Sequence, residues 1–583
     1  MTAASPVAAP RRLELLAPAG DHACLEAALE AGADAVYLGL TALNARRRAR
    51  NFSEDELATA VALAHGGGKR VYLTLNIDLA QDELVTAARM LEVASRLGVD
   101  AIIARDPALL AMAPHYPELE LHLSTQACIA SSADVEAARA LGVRRVVLAR
   151  ELTLAEIAAA SAVPGIETEV FVHGALCFAV SGRCLLSSWV GGKSGNRGQC
   201  TSPCRVPWSA DGQPVGTPFS MHDLSLIAHL DDLRAAGVHT LKVEGRMKNP
   251  AWVRSTIGLL RRALDGDGTP AELLREAARR GATPGRRLTS GFLDGHRDQL
   301  VEPSLPEVAD DAPPAPPARP PAPVRDAVAA LLRELDARPL PDLRDAADRV
   351  RLHADQAAAF LAQVRPPAGA IVDGLDAARL AALRAACPGV PLVAALPTVF
   401  FEDERPALTA LVAAAAALAV PVEVNTWGGW ELARQAGAAM IGGPGLGVLN
   451  ALAARELARR GLAEVTASIE IDAVKLDALV AASPVPCAVV VYGRPALMTT
   501  RVELPAALLE AELADRRGAR LRIRGARGLL ELRPTVGFDL RRARVPAGIA
   551  HAIVDLVAAA DPVGEWTQGV PQASRFNLDR ALS

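Results

Sequence analysis

Aromatic residues are scarce in this chain. Phe, Trp and Tyr make up 3% of its 583 residues, too few for long rows of rings on which nucleic-acid bases could stack. Charge of one sign is lacking too. Lys and Arg number 62 against 66 Asp and Glu, a net charge of −4. No global field therefore draws in polyanions, and any RNA contact must rest on local patches. Long hydrophobic runs are also missing. The most apolar segment, LTALVAAAAALAVPVEV at 408–424, is too short for a bilayer and is interrupted by Pro421 and Glu423. It reads as a buried helix running into a strand. The first twenty residues carry no continuous apolar stretch of the kind an export signal needs, so a reducing cytoplasmic compartment is expected. The chain has no H-E-x-x-H, no serine nucleophile elbow and no evident aspartic pair, which removes the familiar signals of hydrolysis by those routes.

Cysteine is scarce as well, and here scarcity is informative. Of eight cysteines, Cys177, Cys184, Cys200 and Cys204 cluster in EVFVHGALCFAVSGRCLLSSWVGGKSGNRGQCTSPCR. In a reducing compartment clustered thiols read as ligands rather than disulfides. The spacing is C-x6-C, fifteen residues, then C-x3-C. Structural zinc sites favour tight C-x2-C knuckles, and thiolates also hold four-iron–four-sulfur clusters. Glycines 182, 191, 192, 195 and 198 give the segment freedom to wrap a bulky group. Arg183, Lys193, Arg197 and Arg205 could offset negative charge. Spacing alone leaves iron–sulfur, zinc and unligated structural cysteines all open. Cys24, Cys128, Cys387 and Cys487 are isolated in apolar contexts and read as small buried hydrophobes.

What is abundant is a repeated pattern. The chain is 51% hydrophobic and rich in Ala, enough to fill two to four domain cores. Short apolar runs at 13–20, 34–40, 70–77, 101–106, 120–126, 145–150, 168–174 and 240–245 alternate with helical segments such as HACLEAALEAG and DELVTAARMLEVASRLG. Continuous apolar strands joined by helical crossovers predict parallel pairing. So many units predict a (β/α) TIM-like barrel over residues 1–302, with functional groups at the C-terminal strand ends. Asn76, Asp106, Gln126, Arg150, His173, Glu244 and Arg246 fall there. Residues 303–325 are Pro-rich and read as a semi-rigid linker. Beyond it the pattern returns in weaker form. Residues 349–375 parallel 13–40, 420–438 parallel 119–143, and 464–501 parallel the stretch that leads into the cysteines. In the last alignment Tyr492 stands opposite His173, Gly493 opposite Gly174 and Ala496 opposite Cys177. Residues 326–505 therefore read as a second, degenerate α/β barrel-like domain without thiolates. Residues 506–583 read as a small antiparallel element and a C-terminal helix, with ten arginines from Arg516 to Arg544.

One further motif carries charge. In Lys242-Val243-Glu244-Gly245-Arg246-Met247-Lys248, strand alternation puts Lys242, Glu244 and Arg246 on one face. That face is either a salt-bridged barrel floor or an Arg/Lys clamp for a carboxylate, with Glu244 orienting it. His173 is either a satisfied core residue or an acid/base and hydrogen-bonding group. Asn76, Gln126 and Arg150 are either loop caps or pocket-lining residues. Arg46, Arg47, Arg48 and Arg50, with the later arginine run, are either solvated faces or phosphate contacts.

Glu169-x-Phe171-x-His173-Gly174-Ala175-Leu176-Cys177 followed by Ser181-Gly182-x-Cys184-x-Leu186-Ser187 resembles the signature of the collagenase-like peptidases of family U32. LLAPAG, AGADAVYLG and LKVEGRMKN are similar to that family too, and the resemblance covers residues 12–302. It implies an enzyme of the family's oxygen-independent hydroxylation branch, acting on ribosomal RNA cytidine or transfer RNA uridine. It implies a 4Fe-4S cluster on Cys177, Cys184, Cys200 and Cys204, prephenate as a hydroxyl source, RNA as partner and an electron-transfer partner. Read from the residues themselves, His173, Lys242, Glu244 and Arg246 are the candidate catalytic groups. Two other readings stand beside RNA hydroxylation: a true peptidase, and a partner protein in anaerobic ubiquinone hydroxylation.

Overall fold

The computed structural model describes residues 12–280, 286–304, 323–335, 347–541, 548–569, 573, 574 and 576. Most of the expected linker, together with Arg542 and Arg544, lies outside these residues. Strands β1 (Glu14–Pro18), β2 (Ala35–Leu38), β3 (Arg70–Leu75), β4 (Ala101–Ala104), β5 (Glu120–Leu123), β6 (Arg145–Val147) and β7 (Glu167–Ala175) pair in parallel, each with the next. After β7 come a hairpin, β8 (Trp208–Ala210) and β9 (Gln213–Gly216), and then β10 (Asp223–Ser225), antiparallel to β7. Strand β11 (Thr240–Val243) pairs with both β7 and β1 and closes an eight-stranded barrel. The expected apolar runs are these eight strands. A short β12 (Leu288–Thr289) adds to β10. The helices begin where the sequence supplies caps: Ser53, Ser131 and Thr153 each form a capping box.

The second half is a complete barrel. Strands β13 (Ala347–His353), β14 (Ala370–Asp373), β15 (Leu392–Ala395), β16 (Val422–Val424), β17 (Met440–Gly442), β18 (Leu462–Thr466) and β19 (Cys487–Gly493) follow the same order. Next come β20 (Met498–Thr500), β21 (Leu513–Asp515), β22 (Arg520–Ala526), β23 (Leu529–Pro534) and β24 (Phe538–Asp539). Strand β25 (Ile549–Asp555) pairs with β19 and β13 and closes the ring. Residue 505 is therefore no boundary. The arginine-rich element is an insertion, and the barrel's last strand lies beyond it. A second correction concerns the parallel drawn for 420–438. Strand β16 is the fourth of its barrel, so that stretch matches the β4 unit and the β17 unit matches β5. The strands are short and share one apolar pattern, so the alignment slipped by one unit.

The duplication shows in fine detail. In each barrel the last two parallel strands carry a register shift, with Val243 opposite His173 and Val554 opposite Tyr492. In each, an antiparallel strand crosses the same glycine, Leu224 opposite Gly174 and Phe538 opposite Gly493. Both glycines have positive φ, and a Cβ there would meet the backbone oxygen of Glu244 or of Asp555 at 2.3 and 2.9 Å. Asp555 is thus the counterpart of Glu244.

The barrels face each other. The helix after β4 (Pro107–Met112) packs on the helix after β17 (Ala451–Arg459), and the helix after β5 (Ser132–Ala140) packs on the helix after β16 (Trp427–Gln435). This exchange of fourth and fifth units is the pattern of a pseudo-twofold axis. Asn450 Nδ2 donates to Asp106 at 3.2 Å, and Gly428 N donates to Asp134 Oδ1 at 2.6 Å. Asp106, expected at a strand end, is a helix cap and part of this seam. The hairpin β8–β9 joins β20–β23 in one antiparallel sheet, ordered β20-β23-β22-β21-β8-β9, built from both halves. No described helix is long and apolar enough to cross a membrane.

Candidate functional site

Strand β7 delivers the chain to the C-terminal mouth of the first barrel, and the cysteine segment folds back over that mouth. It is held from both sides. On the first-barrel side, Arg197 pairs with Glu83 at 2.9 Å and donates to the Asp78 carbonyl at 2.8 Å, while Asn196 accepts from Arg105 at 3.1 Å. Gly182 lies against the Gln126 carbonyl, leaving no room for a side chain. On the second-barrel side, Val180 N and Leu185 N donate to Thr499 O and Leu497 O at 2.7 Å. Arg183 donates to the carbonyls of Gly445 and Asn425, and Asn196 donates to Glu470 at 2.8 Å. These anchors across the seam were not foreseen from sequence. They link residues between 242 and more than 300 positions apart, and no local pattern encodes such a contact.

The four thiols come together. Cys177 and Cys200 keep accessible surface, whereas Cys184 and Cys204 are half-buried. Burial pushes the Cys177, Cys184 and Cys204 thiols up, Cys204 to about 12, and their mutual repulsion adds to it. Arg150 favours the Cys177 thiolate and Arg205 that of Cys204. Four adjacent thiols in such surroundings ionise together only around a cationic centre. Among the described residues no three His, Cys, Asp or Glu converge closely enough for one metal ion. The set is near enough to couple electrostatically. Its chemistry fits a multi-iron cluster, which Cys177, Cys184, Cys200 and Cys204 would hold. Among the described residues none of the four thiols hydrogen-bonds a histidine, so no Cys–His nucleophile pair is formed. Of the cations expected to offset charge, Arg205 serves that role, while Arg183 and Arg197 anchor the segment.

Beneath the segment lies the charged motif, and the structure splits it. Lys242 is inside the barrel, bonded to Glu169 at 2.7 Å and lying over the Tyr37 ring at 4.4 Å. It belongs to the salt-bridged floor, along with Arg145, which reaches Glu14 at 2.6 Å and Glu167 at 2.7 Å. Glu244 stands higher, against Arg150 at 2.7 Å and Arg46 at 3.2 Å. Burial opposes its charge, but Arg46, Arg150 and Arg246 hold its carboxyl down at about 2. Arg246 is 3% exposed. Its guanidinium donates to Asn44 at 2.6 Å, Thr74 at 3.2 Å and Asn51 at 3.4 Å. Burial lowers it to about 10. Among the described residues no carboxylate forms an ion pair with it. Its hydrogen-bond partners are neutral oxygens, and Glu244 is a carboxylate whose charge it feels without direct contact.

The remaining expected residues divide. Arg46 turns inward to Glu244 and lies near Cys177 and Cys200, so it joins the site rather than an outer phosphate face. His173 is buried against Trp252, ring centroids 5.9 Å apart, and burial lowers it to about 4. It is a neutral imidazole at physiological pH. Asn76 accepts from Ala45 N and donates to Ser124, and Gln126 accepts from Arg105, so both brace loops. Cys24, Cys128 and Cys487 are buried and Cys387 is half-buried.

The family model for peptidase family U32 matches residues 20–302, which hold the whole thiol segment and its charged floor. The tRNA hydroxylation protein P of Escherichia coli is 33% identical over 344 residues, 48% of this chain and 75% of that protein. The chain belongs to peptidase family U32. A second U32 relative, the 23S rRNA 5-hydroxycytidine synthase of Escherichia coli, is 39% identical over 260 residues, 44% of this chain but only 39% of that protein's length. A third, named collagenase, from Porphyromonas gingivalis, is 33% identical over 272 residues, 43% of this chain and 65% of that protein. The U32 family-model match falls on the first barrel.

Proposed function

We propose that this protein hydroxylates a pyrimidine base of RNA without molecular oxygen, at the mouth of its first barrel, in the cytoplasm. The observation that carries the reading is the gathering of Cys177, Cys184, Cys200 and Cys204 over Glu244, Arg46, Arg150 and Arg246. A 4Fe-4S cluster held by these thiols would supply one-electron redox chemistry, fed by an electron-transfer partner. Below it, Arg246, with Arg46 and Arg150, would attract a carboxylate co-substrate, for which prephenate is the proposal. Glu244 keeps Arg46 and Arg150 facing the same space. The relatives named for RNA hydroxylation support this reading. A base within folded RNA must leave its stack to enter a barrel mouth.

Anaerobic purification with iron and sulfide analysis tests the cofactor. A brown protein with iron and acid-labile sulfide is expected, and a colourless protein containing zinc would sink the reading. Mass spectrometry of ribosomal and transfer RNA from a deletion strain tests the substrate, with loss of one hydroxylated pyrimidine as the expected result. Unchanged RNA would return the peptidase and quinone-pathway alternatives.

A further inference from the structure

The mouth of the second barrel holds a cavity of about 640 Å³, within the size range of small-molecule sites. Seven of the eight strands of that barrel contribute lining residues along them or just beyond their C-terminal ends, including Arg351, Asp373, Glu470 and Asp555. In barrels this is the face that carries sites. Leu375, Leu408, Leu411 and Val490 supply apolar wall, and Arg183 and Leu185 form part of the lining from the back of the cysteine segment. The cavity therefore touches the cysteine segment on both sides of Cys184, and Asp78 and Arg105 of the first barrel also line it.

Two features define what would fill it. Glu470 is 2% exposed, and its Oε2 accepts from Asn196 at 2.8 Å. Its Oε1 is buried without a hydrogen-bond partner among the described residues, so the cavity wall holds an acceptor that lacks a donor. The second feature is the arginine row on β22. Leu521 and Ile523 are buried, while Arg520, Arg522 and Arg524 alternate to the exposed face. Arg524 reaches the cavity lining and forms no ion pair among the described residues, whereas its neighbour Arg533 is paired with Glu531 at 2.7 Å. A row of guanidiniums thus runs over the surface and ends at the cavity lip.

We propose that this cavity is a nucleotide pocket, taking an unpaired cytidine of the RNA strand with its base amino group on Glu470 and a phosphate on Arg524. The proposal rests on the RNA reading above and assigns the second barrel to recognition rather than chemistry. A carboxylate accepts from the cytosine amino group but repels the O4 of uracil. A guanidinium is suited to a phosphate, and Arg522 lies in line for the phosphate that follows, beside Arg520, which is paired with Glu512 at 3.1 Å.

The test is calorimetric titration of the full-length protein with cytidine 5′-monophosphate and uridine 5′-monophosphate. One site is expected, with cytidine bound at least ~10-fold more tightly. Arg524 is exposed, and Arg524→Glu should weaken cytidine nucleotide binding ~10-fold or more, with thermal melting as its folding control because Glu531 lies directly opposite. Glu470→Gln should narrow or reverse the base preference, because an amide can donate to uracil O4, with thermal melting as its folding control. Failure of both nucleotides to bind, equal affinities for the two, or wild-type binding by Arg524→Glu would overturn the pocket. If binding fails while RNA hydroxylation persists, the pocket alone is wrong. If the expected binding pattern appears but the deletion strain loses no RNA modification, the pocket stands and the hydroxylation reading falls.

Discussion

The two barrels share a plan and differ in what fills their mouths. The first mouth is closed by a segment of four thiols above an ionised carboxylate and three arginines. The second is an open cavity under an arginine-bearing sheet. The paired carboxylates make the contrast sharp. Arg46, Arg150 and Arg246 hold Glu244 charged. Burial pushes its counterpart Asp555 up, against the pull of Arg351 and Arg533. The same fold position thus stabilises a charge in one half and discourages it in the other. Duplication preserved the backbone, and the guanidiniums around each mouth decide its chemistry.

The largest expected effect tests whether the thiols are confined to one half by function. Replacing Cys177, Cys184, Cys200 or Cys204 with serine should abolish bound iron and sulfide and the RNA product. Cys387→Ser and Cys487→Ser should change neither. Iron retained by a variant of the first group would break the contrast.

Next comes the carboxylate pair. Glu244→Gln leaves Arg46 and Arg150 uncompensated and should cost about 3–5 kcal/mol in denaturant unfolding. Asp555→Asn removes a charge that burial already disfavours and should cost about 1 kcal/mol or less. The pH dependences should oppose each other. Glu244 sits below its ordinary value of 4.5, so its contribution is complete above that pH and is lost as pH falls towards about 2. Asp555 sits above its ordinary 3.8, so its contribution is lost as pH rises through its folded value. Unfolding midpoints of the two variants across acidic pH would show it.

Arg183→Ala probes the brace between the halves. It leaves the Gly445 and Asn425 carbonyls short of a donor, at about 1–3 kcal/mol, and should lower iron content while the arginine-sheet face is unchanged. The smallest effect concerns His173, which is buried and neutral with a value near 4. Its stability contribution should be full above 6.5 and decline as pH falls towards 4, seen as an imidazole resonance that does not titrate near neutrality.

Much of this was legible in the sequence because barrel strands are buried on both faces. Runs such as VYLTL and AIIA announce themselves as continuous apolar stretches, and all eight strands of the first barrel were found that way. Strand β25, IAHAIVD, was missed as barrel because the insertion before it breaks the alternation of strand and helix. The thiols were legible as a set, since residue type and spacing carry that chemistry. The inward turn of Arg46 was not, because a run of arginines looks the same whether it faces water or a buried Glu244. The seam was not legible either, although its residues had a signal. Asp106 and Asn450 cap the helices of opposite units, and each is more buried than a cap needs to be.

The sheet that joins β8 to β21 also sets an order of assembly. Trp208–Ala210 pairs with Leu513–Asp515, a contact that spans some three hundred residues of chain. On the ribosome, the thiol segment emerges long before its partners at Asn425, Gly445, Leu497 and Thr499 exist. Until those residues are synthesised and folded, it can rest only on the first barrel. Distant pairings of this kind form slowly. The thiol site therefore matures last, timed by completion of the second barrel rather than by the folding of the first barrel that carries it.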